Sequence, residues 1–176
     1  MKKPILIWEI IGMIFIILLG SFLHFAFELS GEFLPVAAIA AVNESTFEHL
    51  KIAFWPGVFF ALIEYNFIKN SANNFLVAKF ASASLTPILI IGLFYLYTAI
   101  LGTELFILDI LIFIISVIIG QIGSYTVLKS DKLDPKWTKL SIVGLVILLI
   151  IFPLFTFYPP EIFLFQDPVS GGYGII

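Results

Sequence analysis

Few side chains in this chain can do chemistry. Its two histidines are His24 and His49, and it has no cysteine. Disulfides, thiolate metal sites and cysteine nucleophiles are therefore excluded, so a metal would have to be held by imidazole, carboxylate or carbonyl groups. His24 and Glu28 are spaced i, i+4 and share a helix face. That pair can hold one borderline cation such as zinc, or the carboxylate can simply orient the imidazole. His49 closes the polar run "NESTFEH", residues 43–49. Around it, Glu44 and Glu48 are i, i+4, and Glu48 and Lys51 are i, i+3, which places these three on one helical face. Ser45 and Glu48 fit a capping box, with Asn43 as a competing N-cap. His49 falls on the other face, with Ser45, Ala53, Pro56, Phe60 and Glu64, and it has no local partner. His24 and His49 with one carboxylate, from Glu28, Glu44 or Asp167, would supply three ligands to a divalent metal and leave a water position open.

Glu64 continues the His49 face about 22 Å further along a helix rising 1.5 Å per residue. It comes level with Lys79 and Glu9, so a Glu64–Lys79 ion pair is expected. The functional alternative is a polar track from His49 to Glu64, as a proton-coupled carrier would need. No P-loop, GxSxG, HExxH or CxxC motif is present. The string "SGGYG" lacks the pore helix and following span that a potassium filter requires, so no filter is expected.

These residues are set in an oily chain. Of 176 residues, 61% are hydrophobic and 12% charged, against roughly a quarter charged in soluble domains. A single soluble core of this size could not hide that much apolar surface. The expected fold is all-α: one polytopic membrane helix bundle over residues 1–176, in the cell membrane, with the lipid bilayer as its first partner. The net charge of −3 gives no reason to expect nucleic-acid binding.

A crossing helix needs about 20 apolar residues. Five spans are expected, at about 4–27, 47–67, 75–101, 105–128 and 140–158. The first opens on Met-Lys-Lys, but its apolar run is too long for a secretory leader and no A-x-A-like site follows, so it is expected to remain as a span. With the amino terminus inside, eight of the nine lysines fall at the inner side and only Lys51 outside. That asymmetry follows the positive-inside rule and puts the carboxyl terminus outside. Residues 33–42 are too short to span and are expected to lie at the interface or to re-enter the bundle. Residues 159–176 form an outer tail. This topology gathers His24, Glu28, Asn43, Glu44, Glu48, His49 and Asp167 on one membrane face.

Three pieces, "WEIIGMIFIILLGSFLHFAFELSG", "VNESTFEHLK" and "FQDPVSGGYGI", resemble a family of small prokaryotic integral membrane proteins classed only as a domain of unknown function. The resemblance covers the chain and implies five spans without an activity. "NESTFEH" is also loosely similar to a motif of progestin–adiponectin receptor-type proteins. Those have seven spans and a late histidine pair, both missing here, so their zinc hydrolase chemistry is not carried over. Size and hydrophobicity are similar to the substrate-capture subunits of modular vitamin transporters, which usually have six spans. No complete catalytic constellation is visible. Binding or transport of a small solute or cation by an outer His/carboxylate pocket therefore ranks first. A membrane-embedded metal hydrolase follows, then a structural or partner-binding subunit.

Overall fold

Long runs of Leu, Ile, Phe and Val form helices that continue through Pro56, Pro87 and Pro153. A computed structural model describes residues 3–175, and these form six helices. They are α1 (Lys3–Leu29), α2 (Leu34–Ala37), α3 (Thr46–Ile68), α4 (Phe75–Leu101), α5 (Phe106–Leu128) and α6 (Pro135–Phe157). There is no strand among the described residues beyond an isolated bridge between Gln166 and Tyr173. The stops carry familiar chemistry. Gly102 ends α4 at φ 71°, a left-handed conformation in which glycine avoids the Cβ clash. Asp134 caps α6 by accepting from the Lys136 N–H at 2.8 Å, and Pro135 takes the first helical position. This cap starts the last helix five residues ahead of the apolar stretch at 140 that composition marks out.

Four helices, α1, α4, α5 and α6, are long and apolar enough to cross a membrane. The exception is α3, whose hydropathy is lowered by Glu48, His49, Lys51 and Glu64. Most of those polar groups are covered by protein: Glu48, Lys51 and Glu64 are all buried. α3 lies between α1 and α4, both of which also pack on α5, so these four helices close a ring; α6 flanks α4. Gly20 of α1 lets α3 come close. A Cβ there would sit 2.6 Å from the Ile52 carbonyl oxygen, the one freed by Pro56 four residues on. The glycine thus serves helix approach and leaves no cavity.

The link between α1 and α3 folds into the bundle. Ala37, Ala40 and Ala41 are buried against Leu23, Ala26, Phe27 and Ile52. Buried backbone must find partners, and here a buried ion pair supplies two of them. Lys51 Nζ, 2.6 Å from Glu48, donates to the Ala37 carbonyl at 2.7 Å. Glu48 accepts from the Val42 N–H at 3.1 Å and from the Thr156 hydroxyl at 3.0 Å. The capping-box expectation is corrected by this arrangement. Ser45 stands at the N-cap of α3 but makes no side-chain cap bond, and the Glu48 carboxylate is taken up by the link instead. The chain after α6 closes the same end. Leu164 accepts from the Phe47 N–H at 3.0 Å, and Phe165 packs its ring 4.5 Å from that of Phe47.

Candidate metal centre

His24 lies one turn from the end of α1 and His49 in the first turn of α3. The approach allowed by Gly20 brings their Nε2 atoms to 3.1 Å. Glu44 Oε2 completes a triangle, 3.5 Å from His24 Nε2 and 3.6 Å from His49 Nε2. Bonds of 2.0–2.1 Å to a tetrahedral zinc place neighbouring ligand atoms about 3.3 Å apart. The three atoms therefore stand near the vertices such an ion requires, within 4.8 Å of one another.

The His49 tautomer agrees with this. His49 Nδ1 lies 2.9 Å from the Ser45 carbonyl oxygen. A carbonyl can only accept, so Nδ1 carries a proton, and in the neutral ring Nε2 keeps the lone pair. This is the backbone support that commonly orients a metal-binding imidazole. The Glu44 carboxyl is held below its ordinary value of 4.5, first by its hydrogen bond with His24, then by the charges of His24 and His49, against burial and the nearby Asp167. It is ionised at neutral pH and ready to bind a cation. Side-chain exposures of 24% for His24, 32% for His49 and 50% for Glu44 leave one side of the triangle open to water.

The other candidates fall elsewhere. Glu28, one turn beyond His24, is exposed and outside the triangle. Asp167 is buried but serves as a brace: Oδ1 accepts from the Glu44 N–H at 3.2 Å and Oδ2 from the Ser170 N–H at 2.8 Å. Asn43 donates to the Gly174 carbonyl at 2.7 Å and accepts from the Ser45 N–H at 2.8 Å. Glu48 is committed to Lys51, and Glu64 to Lys79. Glu44 is the carboxylate that meets both histidines. Its placement on a face with Glu48 and Lys51 is corrected because α3 begins only at Thr46. Ahead of the helix, Glu44 is free to turn toward His24. Sequence reasoning missed Thr156, which receives the Lys51 ammonium at 2.7 Å. The one visible signal for it is a lone hydroxyl in the apolar stretch "FPLFTF".

Two voids adjoin these elements. A cleft of about 150 Å³ beside Glu44 is lined by Thr46, Phe94, Tyr95, Glu104 and Phe163. A larger cavity of about 410 Å³ runs inside the bundle from Ala53 and Phe54, one turn beyond His49, to Tyr65 and Lys79 at the far end of α3.

The brace predicts a pH response. Burial raises the Asp167 carboxyl, but the Ser170 hydroxyl and the N–H groups of Ser170, Val169 and Glu44 outweigh it and leave the group below its ordinary 3.8. A depressed carboxyl stabilises the fold fully above its unfolded value and loses that contribution as pH falls through the folded one. Limited digestion with an acid protease should therefore begin to release the tail only below about pH 3.8. In Asp167→Asn, release should occur at every pH tested.

No curated protein and no solved structure matches this chain. The chain belongs to the family of unknown function DUF6512, whose sequence profile matches residues 2–175.

Proposed function

We propose that this is a five-span integral membrane protein that binds a divalent cation of the zinc type at its outer face through His24, Glu44 and His49. The observation that carries the reading is the triangle of 3.1, 3.5 and 3.6 Å between two imidazole nitrogens and a carboxylate oxygen. Passage of that cation, or of a small solute held by it, is the favoured role. The cavity that starts one turn beyond His49 offers room for it within the bundle. Zinc analysis of purified protein tests the site, and zinc flux into loaded liposomes tests the passage. One zinc per chain with flux supports both, and one zinc per chain without flux removes the transport role.

The second reading is a hydrolase in which the metal activates water. It is favoured by the triangle's open side and by the cleft adjoining Glu44, which could seat a small substrate.

Five spans require α3 to cross as well. At 23 residues it is about 34 Å long, enough for a hydrocarbon core of about 30 Å. Its charges are shielded by neighbouring helices, as intramembrane charges must be. Lys51 and Lys79 are buried in ion pairs, so neither belongs in a loop-charge count. The other seven of the nine lysines then all fall on the side assigned to the interior. A reporter fused at the carboxyl end is expected to be active outside the cell; activity inside would overturn the topology.

A further inference from the structure

A second polar cluster lies at the opposite end of α3 from His49. Four helices contribute to it. Lys79 of α4 places Nζ 2.8 Å from Glu9 Oε1 of α1, pairs with Glu64 Oε2 of α3, and donates to Ser124 Oγ of α5 at 3.0 Å. Ser124 in turn donates to Glu9 Oε1 at 2.7 Å. Glu9 and Glu64 are both 0% exposed and Lys79 is 8% exposed.

The charges do not balance. The titratable groups meeting here are Glu9, Glu64 and Lys79, and α5 adds only the Ser124 hydroxyl. Two carboxylates facing one ammonium would bury a net negative charge, which is far costlier than a matched pair. The hydrogen bonds point the same way. Lys79 donates hydrogen bonds to Glu9 and Ser124 and meets Glu64 as an ion pair. Glu9 Oε2 and both Glu64 oxygens have no hydrogen-bond partner, although both carboxyl groups lie against the same Lys79 ammonium. Two buried carboxylates sharing one ammonium disfavour ionising together, and one proton held between them would satisfy orphaned oxygens. The Glu48–Lys51 pair at the other end makes the contrast, with one acid for one base and every oxygen satisfied.

We propose that Glu9 and Glu64 together hold one exchangeable proton, so that this end of the bundle is a proton-binding site whose lysine borders the larger cavity. Lys79 lines the cavity wall with Ser82 and Gln121, and Ser82 donates to Gln121 Oε1 at 3.3 Å. Release transfers the proton from one carboxyl O–H to water, giving a carboxylate and hydronium. Lys79 already lies against the carboxylate that forms. Uptake is the reverse step. The proton site does not depend on a metal at His24 and His49, because no residue is shared.

The test is infrared spectroscopy of full-length protein in lipid at neutral pH, treated with chelator so that the outer site plays no part. Wild type is expected to show the carbonyl stretch of a protonated carboxylic acid, downshifted in heavy water. Glu64→Gln and Glu9→Gln should each lose the band, because either acid left alone with Lys79 ionises. Exposed Glu28→Gln should keep it. Absence of the band in wild type would overturn the proposal, even if neither variant folds. Persistence in both variants, or no response to heavy water, would overturn it too.

Discussion

His49→Ala protein is expected to bind zinc at least about 100-fold more weakly than wild type, a loss of about 2.8 kcal/mol. Loss of a supporting residue outside the ligand set already weakens metal sites by about 10–100-fold. His49 would be a ligand itself, with Nε2 freed for the metal by the bond from Nδ1 to the Ser45 carbonyl. His24→Ala should fall at least as far, since either change leaves one imidazole and a half-exposed carboxylate. Glu44→Gln keeps an oxygen in place but removes the charge, so it should lie between these variants and wild type. Glu28→Ala should bind as wild type does. Calorimetric titration of chelator-treated protein with zinc checks the series. Wild-type binding by both histidine variants would remove the triangle as a metal site.

Lys51→Met should destabilise the protein by about 3–5 kcal/mol, the usual cost of leaving one member of a buried ion pair unpaired. The ammonium has three partners, all buried or in the link: Glu48, the Ala37 carbonyl and Thr156. Methionine fills much of the same volume and satisfies none of them. Glu48 would then carry an uncompensated charge beside an apolar cluster. Adding Glu48→Gln removes that charge, so the double variant should recover part of the loss. Thermal unfolding in detergent micelles, compared across the two singles and the double, measures this. A Lys51→Met protein as stable as wild type would mean the pair does not hold the link in place. The same series should disturb zinc binding indirectly, because Glu48 also fixes Val42, two residues before Glu44.

Much of the fold was legible because its signals are local. Apolar runs and Gly102 report where helices lie and stop, and each acts within a turn or two of its own position. The Glu64–Lys79 pairing was also legible, since burial makes any lone charge seek the opposite sign at the same depth. The site was half legible. With two histidines and no cysteine, His24 and His49 were the only nitrogen or sulfur side chains that could serve as ligands. Which carboxylate joins them depended on where α3 begins, and a two-residue difference in that boundary moves Glu44 off the helix face.

The sequence by itself determined a membrane-suited helical bundle, its helix limits to within a few residues, and the short roster of groups able to bind a cation. Local hydrophobicity and residue chemistry carry that information without reference to the rest of the chain. Only the tertiary structure decided that His24, Glu44 and His49 meet, that Asp167 braces the loop, and that Glu9 joins Glu64 around one lysine. Those outcomes rest on contacts between residues 20 to over 100 positions apart. They are set by helix approach at Gly20 and by the need of buried charges and backbone groups to find partners, and no short-range pattern encodes either.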